Sequence, residues 1–386
     1  MELFHNDFLF GSCHPAKPSL LPRAMALSIL ITGGTGFVGS AIVDALQQKH
    51  PDWALTVLDV EDAMIARSNV RYIKGDVTLL ADVNEAIEQA KPAVIIHTAG
   101  LVPALAARYG RKDRDKIFRV NVEGTRNMLA AAKDNDVNAF VWTGSCTAVT
   151  DDMKHQYPNV DERWPTSNHS LVYGESKAAA EALVLAASDE RLATCSLRPS
   201  VIFGPGDVQL IPSIHACIAK GETPWVIGSG DNMWDVTYVT NVADAHVLAA
   251  ENLLSSRTAA GEAFFISNNE PIPFRDFCLA VWAQFGHYPR FQIQIPERLA
   301  IIVGTLAEWT TWLMGTTTTL SSGSVMDACG TRYFNLAKAG KVLGYKSRVG
   351  IEEGIRISCE EYAQRLKQIE FDKAKLTSSN GHLTKG

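Results

Sequence analysis

The run Thr32-Gly33-Gly34-Thr35-Gly36-Phe37-Val38-Gly39 constrains the fold of this chain more than any other stretch. It follows a short apolar run, Leu27 to Ile31, that reads as a buried parallel strand. It precedes Phe37 to Leu46, where apolar residues recur at helical spacing. The turn therefore joins a strand to a helix N-terminus, where backbone N–H groups and the helix dipole attract a pyrophosphate. Gly33 allows the tight turn, Gly36 a close backbone approach, and Gly39 close packing of helix on strand. Gly34, Phe37 and Val38 belong to the same turn and count with them as dinucleotide contacts. The next strand, Ala54 to Leu58, ends at Asp59, whose carboxylate suits the adenosine ribose hydroxyls. An ordinary turn with a surface aspartate is the alternative. The order strand, turn, helix, strand, acid argues against it.

The alternation continues. Val70 to Ile73, Ala93 to His97, Ala139 to Thr143 and Ala193 to Leu197 read as strands. Ala81 to Ala90, Asp115 to Ala132 and Tyr173 to Ala187 read as helices between them. Such a pattern predicts an α/β fold, a doubly wound parallel sheet of the Rossmann type with right-handed crossovers. Ligands then meet beyond the carboxyl ends of the strands, where Thr98, Ser145 and Pro199 fall. After Gly204-Pro205-Gly206 the pattern loosens into a smaller C-terminal substrate lobe. The expected division is a flexible leader over 1–26, a dinucleotide-binding domain over 27–203, a lobe interleaved with it over 204–370, and a polar, disordered tail over 371–386.

Tyr173 and Lys177 sit in Leu-Val-Tyr-Gly-Glu-Ser-Lys-Ala-Ala-Ala-Glu. On a helix this spacing puts a phenol and an ammonium on one face, about one turn apart. The ammonium favours the phenolate and lowers the phenol pKa from its usual ~10. A general base built this way works near neutral pH. Alone, the pair reads as a solvated helix face; behind a dinucleotide turn it reads as catalytic.

The chain of 386 residues is 46% hydrophobic and 20% charged, which predicts a globular core rather than disorder. A net charge of -6 offers no basic footprint for nucleic acid. The seven cysteines are scattered and form no Cys-x-x-Cys pair, so reduced thiols fit better than a disulfide framework or a metal site. Met1 to Arg23 lacks the charged start and continuous apolar core of a signal peptide. Met25 stands just before the first strand, so the leader is either a flexible extension or a product of where the start codon was placed. Leu299 to Met314 is the most lipophilic stretch. It falls short of the ~20 residues of a spanning helix, and Glu308 interrupts it. Two readings stand: a lobe helix lining an apolar pocket, or a monotopic patch with Trp309 and Trp312 at a membrane interface.

These residues resemble the extended short-chain dehydrogenase/reductases, and more closely the 3β-hydroxysteroid dehydrogenase family on the branch of fungal sterol-4α-carboxylate 3-dehydrogenases (decarboxylating). The resemblance runs from Leu27 to about Tyr362 through ITGGTGFVGS, KGDVT, IIHTAG, VNVEGTRNML, YGESKAAAE, LRPSVIFGPGD, VTNVADAHVLAAENLL, GEAFFISNNEPIPF and RYFNLAKAGKVLGY. It implies that Gly33, Gly36 and Gly39 hold the pyrophosphate, Asp59 the ribose, and Asp76 and Val77 the adenine. Thr98 and Ala99 would line the cofactor cleft, and Pro199 to Ile202 would pass under the nicotinamide. Ser145 would hydrogen-bond the reacting oxygen beside Tyr173 and Lys177. Asn121 fits the family's active-site helix, with a structural hydrogen-bonding role equally open. Three features depart from the family: Thr143-Gly144-Ser145 in place of Thr-Ser-Ser, a long acidic loop from Asp151 to Pro165, and a Gly/Ser/Thr stretch from Thr316 to Ser324. Gly144 is expected to loosen the backbone, and both loops to border the pocket.

The implied chemistry is oxidation of a 3β-hydroxyl to a ketone. Tyr173 takes the proton, Lys177 binds the nicotinamide ribose, and Ser145 donates to the developing carbonyl oxygen. A carboxylate on the adjacent carbon would then leave as carbon dioxide without a metal or any further residue. The motifs do not separate that outcome from plain dehydrogenation, as in a secondary-metabolite pathway. A nucleotide-sugar epimerase is a further alternative, disfavoured by the apolar 299–314 stretch, and so is a non-catalytic scaffold. NAD is expected over NADP, because Asp59 repels a 2′-phosphate and Arg67 is too far along the chain to bind one. The expected partner is a lipophilic sterol or triterpenoid, with peripheral membrane contact and a homodimer left open. The expected location is the cytosolic face of the endoplasmic reticulum, with the cytoplasm as alternative.

Overall fold

The computed structural model describes residues 27–104, 107–166, 169–314 and 321–380; the leader, 1–26, lies outside the described residues. Seven parallel strands form the central sheet in the order Glu262–Ile266, Ala193–Pro199, Ala139–Thr143, Val94–His97, Ser28–Thr32, Ala54–Asp59, Val70–Lys74. The inner strands are buried on both faces, which is why they read as unbroken apolar runs rather than alternating ones. One face packs on helices Phe37–Lys49 and Val239–Leu254 through Ile42, Val43, Leu46, Ala243 and Val247. The other packs on Leu80–Ala90, Gly124–Asp134 and Val172–Ala186 through Val83, Ile87, Met128, Leu129 and Val184.

The chain reverses direction across the sheet between Ser28–Thr32 and Val94–His97, the point where a doubly wound fold opens its crevice. The strand Glu262–Ile266 completes the sheet from inside the segment expected as substrate lobe. A second core joins Phe203, Ile211, Ile214, Phe277, Trp282 and Ile355. A smaller sheet orders Ile272–Pro273, Met233–Trp234, Arg332–Phe334 and Tyr157–Val160. That last strand comes from the long acidic loop, so the loop is stitched to the lobe by backbone hydrogen bonding.

Three expectations change. The long helix after Asp113 is interrupted by a π-helical turn, Arg119–Glu123, of the kind found at functional sites. The stretch 316–324 lies partly outside the described residues, but Ser321 and Ser324 form a capping box that starts helix Ser322–Cys329. The closing helix, Ile351–Asn380, runs past Phe371, where polar composition predicts disorder. Polarity excludes burial there but not helix, and Lys, Leu and Ala are good helix formers. Residues 381–386 lie outside the described residues.

Candidate active site

The glycine turn is shaped by contacts that leave no room for side chains. Gly33 has φ +69°, and a Cβ there would stand 2.8 Å from the Ala99 backbone. A Cβ on Gly39 would come within 2.1 Å of the Gly33 carbonyl oxygen. Gly34 is buried against Val57. Gly36, exposed, precedes helix Phe37–Lys49 with no side-chain cap, so the first N–H groups of that helix, from Phe37 and Val38, face outward without acceptors among the described residues. A helix start of this kind holds an anion. Thr98 binds back to the Thr32 carbonyl through its hydroxyl at 2.7 Å, and the Ala99 N–H donates to Thr32 Oγ1 at 3.3 Å. These bonds make the opposite wall of the cleft.

Along the sheet edge the expected cofactor residues fall in a row. Asp76 and Val77 lie past strand Val70–Lys74, where Asp76 Oδ1 accepts from the Thr78 N–H and Val77 packs on Gly124. Asp59 ends the neighbouring strand, and its Oδ2 accepts from the N–H and hydroxyl of Thr35 at 3.0 and 2.7 Å, bracing the glycine turn. Arg67 is paired with Asp44, whose carboxylate holds it above its ordinary pKa. Beyond Thr98 and Ala99 come Ser145 and then Pro199. Ile202 pairs across to Thr237 in the strand Val236–Tyr238. The row runs along the carboxyl edge of the sheet, where a doubly wound fold takes its ligand.

Ser145 precedes the short helical turn Cys146–Ala148 and accepts from the N–H and hydroxyl of Thr147 at 3.2 and 2.8 Å. Both bonds are accepted, so the Ser145 proton is free to donate. Its hydroxyl pairs with the Tyr173 phenol and works against the upward push of burial, which nonetheless raises that phenol to about 12. Lys177 is buried and donates to the Thr143 carbonyl at 2.8 Å; its Nζ stands 5.9 Å from the Tyr173 ring centre. Burial brings the ammonium down to about 8. The sequence expectation was a phenol held low by Lys177. Here desolvation dominates, because the ammonium is engaged by Thr143 rather than by the phenol.

Gly144 does not loosen the backbone. Its N–H donates to the Leu197 carbonyl at 2.6 Å, and a Cβ would stand 2.7 Å from that oxygen. Asn121, in the π-helical turn, accepts from the Leu101 N–H at 2.7 Å and donates to Ser176 Oγ at 3.0 Å, clamping the loop after Thr98 to the helix that carries Tyr173.

Sequence reasoning missed three neighbours of this site. Thr147 orients Ser145. Asp151, the first residue of the acidic loop, accepts at 3.1 Å from the N–H of Leu171, the residue just before helix Val172–Ala186. Its carboxylate occupies the space above Gly174, where a Cβ would stand 2.1 Å from Oδ2. Burial pushes Asp151 up to about 8. Arg108 is the third. Gly174, directly after Tyr173, was the one signal available, marking a side chain overhead without naming it.

The family model described as "3-beta hydroxysteroid dehydrogenase/isomerase family" matches residues 30–297. The sterol-4-alpha-carboxylate 3-dehydrogenase, decarboxylating, of Candida albicans is 36% identical over 347 residues, covering 86% of this chain and 97% of that one. Its counterpart in Saccharomyces cerevisiae is 37% identical over 342 residues, covering 85% and 95%. Among solved structures, the dTDP-glucose 4,6-dehydratase of Bacillus anthracis in complex with NAD superposes with a TM-score of 0.66 at 18% identity, covering 88% and 97%. At that identity the likeness speaks for the fold alone.

Proposed function

The chain belongs to the 3-beta hydroxysteroid dehydrogenase/isomerase family, and we propose that it oxidises the 3β-hydroxyl of a sterol or triterpenoid to the 3-ketone with loss of a neighbouring 4α-carboxylate as carbon dioxide. The observation that carries this reading is the meeting of Ser145, Tyr173 and Lys177 beside the glycine turn, in a chain alike over nearly its whole length to decarboxylating sterol dehydrogenases.

The cleft fits a nicotinamide dinucleotide: a Cβ-excluding turn, an uncapped helix start, and Lys177 beside Gly100 at its far end. Gly33, Gly36, Phe37, Val38, Thr98, Ala99 and Lys177 would hold it. When bound, such a cofactor supplies the hydride acceptor. The protein's own part is positional and protonic. Ser145 donates to the substrate oxygen as it becomes a carbonyl, and Tyr173, in its phenolate form, receives the hydroxyl proton. The ketone so formed lies next to the carboxylate-bearing carbon. When the bond to the carboxyl breaks, its electron pair passes into that carbonyl. Ser145 and Tyr173 hold the enolate oxygen until the carbon is reprotonated.

NAD is proposed as the cofactor. Supporting it, Asp59 ends the second strand beside the turn, and Arg67 is committed to Asp44. A membrane-surface location, the cytosolic face of the endoplasmic reticulum, is proposed from helix Glu297–Met314. Leu299, Ile302, Val303, Leu306 and Trp309 form one stripe at helical spacing, each 44–69% exposed. Ala300 and Gly304 face inward, Gly304 against Ser321. Glu308, which interrupts the apolar run, turns inward too and accepts from Ser322. Between Leu299 and Trp309 the outer stripe is therefore free of charge, with Arg298 exposed at its start. The side chain of Trp312 lies outside the described residues. No helix among the described residues is long and apolar enough to cross a membrane.

The test is purified enzyme with NAD+ and 3β-hydroxy triterpenoids with and without a 4α-carboxylate, read by mass spectrometry. The reading requires a 3-ketone short of one carbon dioxide from the acid. A ketone that retains its carboxyl, or no ketone, defeats it.

A further inference from the structure

Among the described residues, one cation near enough to act on the reacting groups has no hydrogen-bond or ion-pair partner. Arg108 lies in the loop between strand Val94–His97 and helix Arg114–Phe118. Its neighbour Tyr109 fastens that loop: the hydroxyl donates to Asp327 Oδ2 at 2.9 Å, and the ring packs on Gly323, where a Cβ would stand 2.8 Å away. Arg108, next to it in the chain, is thereby tied close to helix Ser322–Cys329. It is near enough for its charge to act on Asp327, Asp151, Cys146 and Tyr173. Among the described residues it makes no hydrogen bond and no ion pair.

The other charges of this cluster are spoken for. Arg332 pairs with Asp327 at 2.7 Å and lies over the Trp234 ring at 4.1 Å. Burial works against the Asp327 charge, but Arg332, Arg108 and the bond from Tyr109 together hold its carboxyl at about 2. Asp151, pushed up to about 8 by burial, is mostly neutral at pH 7. Two guanidinium groups thus face one carboxylate. Asp327 favours the Arg108 charge, but its oxygens are bonded to Arg332 and Tyr109, so the Arg108 donors are left for an incoming anion.

We propose that Arg108 is the specificity-determining residue that receives the substrate's carboxylate, holding it beside Ser145 and Tyr173 until it leaves as carbon dioxide. This rests on the reading of the substrate given above. A planar guanidinium suits a carboxylate through two parallel hydrogen bonds. Once the carboxyl has left, the neutral ketone has no hold on Arg108, which favours release of product over substrate.

The experiment uses the full enzyme with NAD+ and three 3β-hydroxysterols bearing a 4α-carboxylate, a 4α-carboxamide or a 4α-methyl group. Wild-type kcat/KM should favour the acid over the near-isosteric amide by about 10²-fold, most of it in KM. Arg108→Gln should bring that ratio close to one, and Arg108→Lys should restore part of it. A purely structural role would lower all three substrates together and leave the ratio intact, which overturns the proposal. A wild-type enzyme that takes amide and acid equally well also overturns it, and needs no variant to fold. If wild-type enzyme oxidises the methyl sterol and refuses the acid, the functional reading itself fails. If it decarboxylates the acid while the ratio survives Arg108→Gln, only the role of Arg108 fails.

Discussion

The glycine turn and the cluster around Arg108 are both shaped to hold an anion, and they do it by opposite means. The turn uses backbone N–H groups at a helix start and carries no charged side chain; its shape comes from contacts too close for a Cβ at Gly33 and Gly39. The cluster uses side chains from three distant segments, Arg108, Asp151 and Asp327 with Arg332, and its character depends on which of them are ionised. A backbone site is rigid and indifferent to pH. A side-chain site can be selective for one substrate group and can lose that selectivity with a single proton. The division matches the two tasks, a generic phosphate on one side and a particular carboxylate on the other.

The largest expected effect tests the base that both regions serve. Tyr173→Phe should lower kcat by ~10²–10⁴-fold while dinucleotide affinity, measured by fluorescence titration, stays near wild type. In the wild type, oxidation should quicken as pH rises, because burial holds the phenol protonated up to about 12; the variant should lose that rise. Substantial turnover with an unchanged pH profile would remove Tyr173 from the chemistry.

Next comes the backbone site. Gly39→Ala places a Cβ 2.1 Å from the Gly33 carbonyl oxygen, so the turn must open. Overpacking of this kind costs ~1–3 kcal/mol, which predicts dinucleotide binding weaker by about 10- to 100-fold. Unchanged affinity by calorimetry would mean that the turn is not the anchor. On the lobe, Leu306→Ser with Trp309→Ser removes two exposed apolar side chains, each worth ~1.5–3 kcal/mol when buried. Partition onto liposomes should fall by at least about tenfold while a water-soluble substrate analogue is still oxidised. Retention of the double variant on the vesicles would exclude this stripe as the contact.

Smaller effects refine the picture. Asp59→Ala should narrow the preference for NAD over NADP several-fold, on the order of 1 kcal/mol. Equal kcat/KM with both cofactors in the wild type would refute that preference at the outset. Asp151→Asn tests the pH sensitivity of the side-chain site. The unfolded chain loses the Asp151 proton near 3.8 and the folded chain keeps it to about 8. Between those values folding binds a proton, so this group's contribution to stability falls as pH rises. The asparagine can still accept from the Leu171 N–H and has nothing to titrate. Its melting temperature should therefore decline less between pH 5 and pH 8 than that of the wild type, a window inside the two pKa values. Parallel curves would show that Asp151 is ionised throughout.

How much was legible in the sequence follows the same divide. The turn, the strands beside it and the Tyr173–Lys177 pair are set by residues within a few positions of one another, where helix geometry and steric exclusion act locally. The resemblance to a known family added Ser145, whose meaning depends on a helix 28 residues further on. Local spacing could not show that Thr147 claims both acceptor positions of Ser145 or that Asp151 lies over Gly174. Nor could it show that Glu308 turns away from the apolar stripe, or that Glu262–Ile266 returns to close the sheet. The expectation that Lys177 would lower the Tyr173 pKa failed for the same reason: spacing gives proximity, while the pKa is set by how much water the fold removes. By itself, then, the sequence determined the fold class, the glycine turn at a helix start and the helix that carries Tyr173 and Lys177. Tertiary structure alone decided the charge state and partners of the side chains that surround them, because desolvation and long-range contact exist only once distant segments have been packed together.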